Sequence, residues 1–206
     1  YYPTSSAVDT NGDIYAGQYT SYGIKKLTYA TGAPDTSFGS GGTYRGSGNC
    51  RSYYPFNMQV HNGFLYATSY YSSRVFRINL TTGVCDWNTY VRYPKYLVIK
   101  NNILNAFSYY NNSGVTRNTN DINRNINCNY SYHTSIRWAW AGTLDASGNN
   151  FYTYYGRTLY RFTRDSNGCV NVRNFVGQIR NSRISFTYGL ASHPTDDSIL
   201  YASTWA

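Results

Sequence analysis

A short apolar and aromatic motif recurs five times along the chain, beginning at Ile14, Leu65, Leu104, Phe151 and Leu200. In four copies a tyrosine follows the first apolar residue, and successive copies start 39 to 51 residues apart. Alternation of apolar and polar residues over segments this short is typical of β-strands. The chain is therefore an array of similar β units.

Each motif has neighbours that predict further strands. Asn11-Gly12 and Asn62-Gly63 each separate a motif from a preceding apolar segment, a pattern typical of β-hairpins. A third segment, which mixes apolar and basic residues, follows as Ile24–Leu27, Val75–Ile78 and Leu159–Phe162, and a fourth follows another turn. Four short antiparallel strands in each unit of about 40 to 50 residues predict an all-β fold, a β-propeller of about five four-stranded blades.

The repeats occupy approximately residues 1–51, 52–91, 92–136, 137–186 and 187–206 of a single predicted domain. A sandwich of irregular hairpins is the alternative fold. The fifth repeat reaches Ala206 directly after its second strand, so the last blade is incomplete in this chain. Three explanations stay open: the chain is part of a longer polypeptide, another segment or neighbouring subunit supplies the missing strands, or the blade has two strands. Self-association through the incomplete blade would give a filament.

The segment Val8-Asp9-Thr10-Asn11-Gly12-Asp13-Ile14-Tyr15 resembles NHL and gluconolactonase-like propellers, in which a strand, an Asp-x-x-Gly turn and a tyrosine-containing strand recur. The repeat period is also similar to that of five-bladed tachylectin-type lectins. The first resemblance raises the possibility of a metal-dependent, lactonase-like hydrolase. Its metal site would use the polar residues after the innermost strands: Asp9, His61, Lys100, Asp145 and His193.

Composition argues against that enzyme. The nine acidic residues are all aspartate, and the gluconolactonase-like enzymes resemble one another in using several carboxylates, glutamate among them. A hard divalent cation prefers six or more oxygen ligands, whereas the aligned set contains two aspartates and a lysine. Turn formation and ion pairing explain these residues better. No nucleophile motif accompanies the three histidines. We therefore predict no catalytic residue, no metal and no cofactor.

Aromatic residues make up 18% of the 206 residues, and tyrosine alone accounts for 25. In a propeller, the loops entering the innermost strands and the turns after the second strands share one face. We therefore expect a ligand-binding surface that contains Tyr19, Tyr22, Tyr54, Tyr70, Tyr71, Tyr93, Tyr109, Tyr110, Trp138, Trp140, Tyr154, Tyr155 and Trp205.

Tyrosine and tryptophan offer rigid contact area with a polar tip, which suits a glycan or an extracellular protein partner. The alternative is that most of these rings only cover the ends of the blades. The tyrosines of the motifs themselves are predicted to be core: Tyr15, Tyr66, Tyr152 and Tyr201.

Cys50, Cys85, Cys128 and Cys169 are spaced too widely for a metal or redox motif, and they predict two disulfides in a secreted protein, with all three pairings open. Candidate glycosylation sites begin at Asn79, Asn111 and Asn129, no more than chance supplies. The chain contains no apolar run of membrane-spanning length, so no membrane span is predicted.

The formal net charge is +9, and several arginines fall on the predicted outer strands. They could form a rim that attracts a polyanion, or they could be a solubilising coat in which arginine stacks on tyrosine. These arginines are Arg74, Arg77, Arg157, Arg161, Arg164, Arg173, Arg180 and Arg183. The main hypothesis is a secreted, non-enzymatic binding or adhesion module, and the alternatives are a subunit of an extracellular filament and a lactonase-like hydrolase.

Overall fold

The chain folds into five antiparallel β-sheets in a computed structural model that describes residues 3–19, 22–110, 114–128, 141–155, 157–170, 172–180 and 187–204. Within these residues there is no α-helix, and the two short 3-10 turns span Gly48–Cys50 and Val172–Asn174. No helix in these ranges has the length and apolar character needed to cross a membrane. The all-β prediction is confirmed.

Each sheet corresponds to one predicted repeat. The first contains β1 (Pro3–Val8), β2 (Ile14–Gln18), β3 (Gly23–Leu27) and β4 (Thr43–Tyr44). The second contains β5 (Pro55–His61), β6 (Phe64–Ser69), β7 (Arg74–Asn79) and β8 (Cys85–Tyr90). The third contains β9 (Pro94–Lys100), β10 (Ile103–Ser108) and β11 (Gly114–Asn118). The fourth contains β12 (Gly142–Leu144), β13 (Asn150–Tyr155), β14 (Thr158–Thr163) and β15 (Phe175–Arg180), and the fifth contains β16 (Thr187–Ser192) and β17 (Leu200–Thr204).

Within every sheet, strands that are neighbours in sequence are neighbours in space. The turns between first and second strands explain this simple order. Asn62 and Gly63 have φ angles of 49° and 76°, and Asn101 and Asn102 have φ angles of 53° and 57°. Two consecutive positive φ values are what a tight hairpin turn requires, and Asn and Gly adopt them at low cost. The recurrent turn residues thus produce the recurrent hairpins.

The chain divides into two compact units, Tyr1–Leu97 and Val98–Ala206. The core of the first unit forms where apolar faces of its two complete sheets meet. Tyr44 of β4 stacks on Phe76 of β7 with ring centroids 6.1 Å apart, and Tyr15 packs edge-on against Phe38 at 5.4 Å. All four rings are buried, so aromatic packing dominates this core.

The core of the second unit is a row of phenylalanines. Phe107 of β10 stacks on Phe151 of β13 at 5.1 Å, and Phe162 of β14 lies 6.5 Å from Phe151. All three side chains are fully buried. Phe175 of β15 continues the row, 5.6 Å from Phe162, but it is 41% exposed. The phenylalanine side chains of this row therefore become more exposed toward the outer strand of the fourth sheet.

Two disulfides join the four cysteines, as predicted, and the pairing is sequential: Cys50 with Cys85 and Cys128 with Cys169. The first lies wholly within the first unit and the second wholly within the second. Each bridge therefore constrains one unit.

The motif tyrosines differ in burial. Tyr15 and Tyr66 are buried, as expected for core residues, whereas Tyr152 is only half-buried. Tyr201 is 54% exposed, so the prediction that it belongs to the core is wrong. The physical reason is that β17 pairs only with β16 in the described part of the chain, and no third strand covers its outer side there.

Candidate functional site

Six of the tyrosines predicted to bind ligand come together in the first unit. They form a group with Tyr53, which we call the tyrosine cluster: Tyr19, Tyr22, Tyr53, Tyr54, Tyr70, Tyr71 and Tyr93. Its members come from the turn after β2, the segment before β5, the turn after β6 and the segment before β9.

Tyr54 is the centre of the cluster. Its ring lies 4.6 Å from that of Tyr19, 5.5 Å from that of Tyr71 and 5.9 Å from that of Tyr70, between centroids. Tyr70 in turn lies 5.3 Å from Tyr93. Most of these contacts are edge-on or tilted, while Tyr71 stacks on Tyr54 with 24° between the ring planes. The rings therefore support one another in fixed orientations.

Part of the cluster faces solvent. Tyr71 is 54% exposed, Tyr22 is 45% exposed and Tyr19 is 41% exposed. Burial, with smaller contributions from Tyr19 and Tyr71, raises the pKa of Tyr54 above its usual value. Like any tyrosine hydroxyl, that of Tyr54 is protonated at neutral pH and can donate a hydrogen bond as well as accept one.

Main-chain hydrogen bonds hold two of the loops together. The Tyr70 N–H donates to the Tyr54 carbonyl at 3.1 Å, and the Tyr71 N–H donates to the Tyr53 carbonyl at 3.3 Å. The Tyr53 N–H donates to the fully buried Ser69 Oγ at 2.8 Å. These bonds fix the segment before β5 against the turn after β6.

Ser73 attaches the third loop. Its carbonyl accepts from the Val91 N–H at 3.1 Å, and its Oγ accepts from the Tyr93 N–H at 3.2 Å. Tyr93 is thereby held beside Tyr70, and the cluster rests on loops that are anchored by serine side chains.

Three cluster residues have left-handed backbone conformations. The φ angles are 49° at Tyr22, 57° at Tyr54 and 46° at Tyr93. Positive φ is unfavourable for a bulky residue and costs on the order of 1–3 kcal/mol. Tyr54 and Tyr93 also each precede a proline, which disfavours helical-type backbone further. Such strain concentrates at functional sites.

Positive charge surrounds the cluster. The Arg51 guanidinium lies over the Tyr53 ring at 4.3 Å, and that of Arg92 lies 5.6 Å from the Tyr93 ring centre. Lys95 Nζ lies 5.1 Å from the centre of the Phe56 ring. Lys95 is only 3% exposed, and burial lowers its pKa to about 7.

Sequence reasoning missed several residues of this site: Arg51, Tyr53, Phe56, Arg92 and Lys95. Each lies within three residues of a predicted tyrosine in sequence. The usable signal was the Tyr-Pro dipeptide that three repeats share, because the residues on either side of it lie at the same end of their sheets.

The other predicted tyrosines with described positions lie in the second unit. Tyr109 and Tyr110 pack edge-on at 4.6 Å, and Tyr110 and Tyr155 are each 42% exposed. Burial, with smaller effects of Tyr110 and Tyr155, raises the pKa of Tyr109. Tyr154 is only 3% exposed, so its ring is not available at the surface. Trp138, Trp140 and Trp205 lie outside the described residues.

The aspartates of the predicted polar set form turns. Asp9 Oδ1 accepts from the N–H groups of Asn11 and Asp13 at 2.9 and 3.0 Å. Asp145 Oδ1 accepts from the N–H groups of Asn149 and Asn150 at 2.9 and 3.1 Å. Within the described ranges, no group of three His, Cys, Asp or Glu side chains is arranged to hold a metal ion.

Several predicted rim arginines have partners within their own unit. Arg77 makes two hydrogen bonds to Asp86, both 2.8 Å, and Arg74 lies 5.6 Å from the Tyr90 ring centre. Arg164 donates to the carbonyls of Gly168 and Gly148. Arg183 lies outside the described residues.

Of the candidate glycosylation sites, the structure describes Asn79. Its Oδ1 accepts from the N–H groups of Thr81 and Thr82 at 2.9 and 3.1 Å, which makes it the first residue of the turn after β7. Asn111 and Asn129 lie outside the described residues.

No protein family and no curated protein matches this chain in sequence. In structure, the chain is similar to hydrazine synthase from Kuenenia stuttgartiensis, with a TM-score of 0.69 and 11% identity over 92% of this chain and 52% of that one. It is also similar to a chain of the mitotic checkpoint complex, with a TM-score of 0.68 and 9% identity over 98% of this chain and 56% of that one. The chain spans about half the length of these structures. At such low identity, the similarity concerns the β-rich fold alone.

Proposed function

We propose that this protein is a secreted, non-enzymatic β-propeller that binds glycans through its tyrosine cluster. The observation that carries the proposal is the packing of Tyr19 and Tyr71 around Tyr54, which leaves two rings half-exposed on a rigid support. Sugar rings stack on such aromatic faces, and the hydroxyl groups at the ring tips offer hydrogen bonds.

Three features support the propeller arrangement. Each sheet follows one sequence repeat, strand order within a sheet equals chain order, and the apolar face of one sheet packs on the next in the first unit, as Tyr44 does on Phe76. These are the properties of blades. Crystallographic structure determination tests the arrangement, and two stacked sheets in place of radial blades would contradict it.

The charge of the cluster favours a glycan that carries acidic groups. Arg51 and Arg92 lie on rings of the cluster, Lys95 lies next to Phe56, and the described contacts of the cluster include no aspartate. Two disulfides support an extracellular location, where such glycans are found.

A glycan array that includes neutral and acidic oligosaccharides tests the proposal. Tyr71→Ala should reduce affinity for the bound glycan at least about ten-fold, because it removes the most exposed stacking ring. Tyr71→Phe should keep most of the affinity, since the aromatic face remains.

Tyr29→Ala is the matched control. Tyr29 is 74% exposed in the same unit and makes none of the ring contacts that define the cluster. Equal losses in Tyr71→Ala and Tyr29→Ala, or no glycan bound by the wild type, would refute glycan recognition. Capture of a protein ligand that is lost in Tyr71→Ala would assign the cluster to protein recognition instead.

A further inference from the structure

Tyrosine is the easily oxidised residue that solvent reaches in the described part of the first unit. Cys50 and Cys85 are joined in a disulfide, so neither is a free thiol. Met58 is the one methionine of the chain and is only 5% exposed, and Trp87 is 8% exposed. Oxidation of sulfur side chains requires exposure as well as reactivity. An oxidant that meets this unit therefore acts first on its exposed tyrosine rings.

Tyr54 and Tyr71 of the tyrosine cluster form a stacked pair. Their ring centroids are 5.5 Å apart, and the angle between the ring planes is 24°. Such an offset stack directs the ring carbons of one residue at the face of the other. Tyr71 is also the most exposed ring of this pair, at 54%, so an oxidant can reach it. The pair thus combines access with overlap of the two rings.

The neighbouring tyrosine contacts have a different orientation. Tyr54 meets Tyr19 at an interplanar angle of 68° and Tyr70 at 77°, and Tyr70 meets Tyr93 at 42°. In an edge-on pair, the hydrogen atoms at the edge of one ring lie between the two sets of ring carbons. Formation of a bond between ring carbons is therefore favoured at Tyr54 and Tyr71 over these other contacts.

The main chain already holds the two residues side by side. The Tyr70 N–H donates to the Tyr54 carbonyl at 3.1 Å, and the Tyr71 N–H donates to the Tyr53 carbonyl at 3.3 Å. These two bonds join the segment before β5 to the turn after β6. A covalent link between the rings of Tyr54 and Tyr71 therefore requires movement of the two side chains and no rearrangement of the loops.

A radical that forms elsewhere in the tyrosine cluster can reach the same pair. Tyr19 is 41% exposed, and its ring centroid lies 4.6 Å from that of Tyr54. Electrons move readily between aromatic rings that are in van der Waals contact. Oxidation at Tyr19 can therefore be passed to Tyr54, so the cluster has two exposed points of entry for an oxidant.

We propose that the tyrosine cluster is a site of oxidative modification, at which Tyr54 and Tyr71 are coupled into a dityrosine. The oxidant is of the one-electron class, such as a heme peroxidase supplied with hydrogen peroxide. The two disulfides support an oxidising location, in which such a link persists. This modification goes beyond glycan recognition and does not depend on it.

The coupling removes two electrons and two protons in all. Each phenol first loses one electron and its hydroxyl proton, which leaves two tyrosyl radicals. The two unpaired electrons then form a carbon–carbon bond between ring carbons that lie next to the hydroxyl-bearing carbons. Each newly bonded carbon releases its hydrogen as a proton, and each oxygen regains a proton, so both rings become aromatic again. Hydrogen peroxide accepts the two electrons and two protons and is converted to two molecules of water.

Treatment of the purified protein, free of glycan, with a heme peroxidase and hydrogen peroxide tests the proposal. Dityrosine fluorescence should appear in the monomer isolated by size-exclusion chromatography. Trypsin cleaves after Arg51 and Arg74, and the peptide between them contains both coupled residues. That peptide should lose the mass of two hydrogen atoms, and further cleavage after Phe64 should leave its two fragments joined. Untreated protein should show neither change.

Phenylalanine variants locate the coupled rings. Tyr71→Phe and Tyr54→Phe each keep the aromatic ring but cannot form a tyrosyl radical there, so each should abolish the link within this peptide. Tyr29→Phe is the control for exposure, because Tyr29 is 74% exposed and lies outside the cluster. Tyr110→Phe is the control for distance, because Tyr110 lies 4.6 Å from Tyr109 but edge-on, at 82°. Both control variants should retain the link.

Three results would overturn the proposal. The first is a link that persists in Tyr71→Phe. The second is coupling of Tyr109 to Tyr110 while the peptide between Arg51 and Arg74 keeps its mass, which would show that distance decides. The third is formation of covalent dimers with an unmodified monomer, which would assign the exposed rings to coupling between chains. Glycan binding is measured separately on untreated protein, so its absence would leave the result at Tyr54 and Tyr71 unaffected.

Discussion

Tyr54 and Tyr93 share one unusual backbone conformation, with φ angles of 57° and 46° immediately before a proline. Their rings approach the same residue, Tyr70, from two loops, at 5.9 and 5.3 Å. The left-handed turn at each position directs the side chain into the cluster while the proline begins the next first strand. The strained backbone and the position of the aromatic ring are therefore linked.

Glycine at position 54 should be less destabilising than alanine, although both remove the ring. Glycine adopts positive φ without steric cost, whereas alanine retains the strain of the native backbone. We expect Tyr54→Gly to exceed Tyr54→Ala in free energy of unfolding by about 1 kcal/mol. Urea denaturation of both variants measures the difference.

Tyr71→Gly and Tyr71→Ala are the control pair, because Tyr71 is not among the residues with positive φ. Equal stability of the two position-54 variants would show that the backbone there is unstrained.

The hairpins were predictable from the sequence, because they depend on residues that are close together along the chain. Alternating residues and Asn-Gly turns specify a hairpin locally, which is why β5 and β6 meet as expected around Asn62 and Gly63. The predicted tyrosines of the first unit were also found together, because strand ends at one edge of a sheet are fixed once the strands are known.

Features that depend on contacts between sheets were not predictable. Nothing local distinguishes Lys95 from a solvent-exposed lysine, and its burial follows from its contact with Phe56 of another sheet. Likewise, Tyr201 has a motif sequence similar to that of Tyr66, but among the strands that the structure describes only Tyr66 has a third strand beside it. The pairing of Cys50 with Cys85 required the same long-range information.

Lys95 should make stability depend on pH near neutrality. Burial lowers its pKa from 10.5 to about 7, so the unfolded chain binds more protons than the folded protein between these two values. Stability therefore rises with pH above about 7, by up to about 1.4 kcal/mol per pH unit, and this contribution is constant below pH 7.

Lys95→Met should remove this slope and stabilise the protein most at pH 6. Urea denaturation between pH 6 and 9 measures the effect. Lys100→Met, at a less buried position on the same strand, should keep the slope. An unchanged slope in Lys95→Met would show that another group titrates.

The disulfide between Cys50 and Cys85 should stabilise the tyrosine cluster as well as the first unit. Cys50 directly precedes Arg51, and the bridge closes a loop with a sequence separation of 35. Replacing both cysteines by serine should lower the free energy of unfolding by about 2–4 kcal/mol.

Amide hydrogen exchange at Tyr53 should accelerate in this double-serine variant. Removal of the Cys128–Cys169 bridge should leave Tyr53 exchange unchanged, because that bridge lies in the other unit. Equal acceleration by both variants would contradict a local role.

Asp35 should contribute stability that is lost in acid. Hydrogen bonds from Ser37, followed by that from Lys26, lower its pKa to about 2. A carboxyl group with a depressed pKa stabilises the folded state above its unfolded value near 4, and the contribution disappears as pH falls from about 4 to about 2. After allowance for solvent screening, Asp35 is expected to contribute about 1 kcal/mol to the free energy of unfolding.

Asp35→Asn should therefore lower stability at pH 6 and have little effect at pH 2, as measured by urea denaturation. Asp121→Asn, at an exposed position in the second unit, should match the wild type at both pH values. A constant loss in Asp35→Asn across this range would mean that the carboxyl group acts only as a neutral hydrogen-bond acceptor.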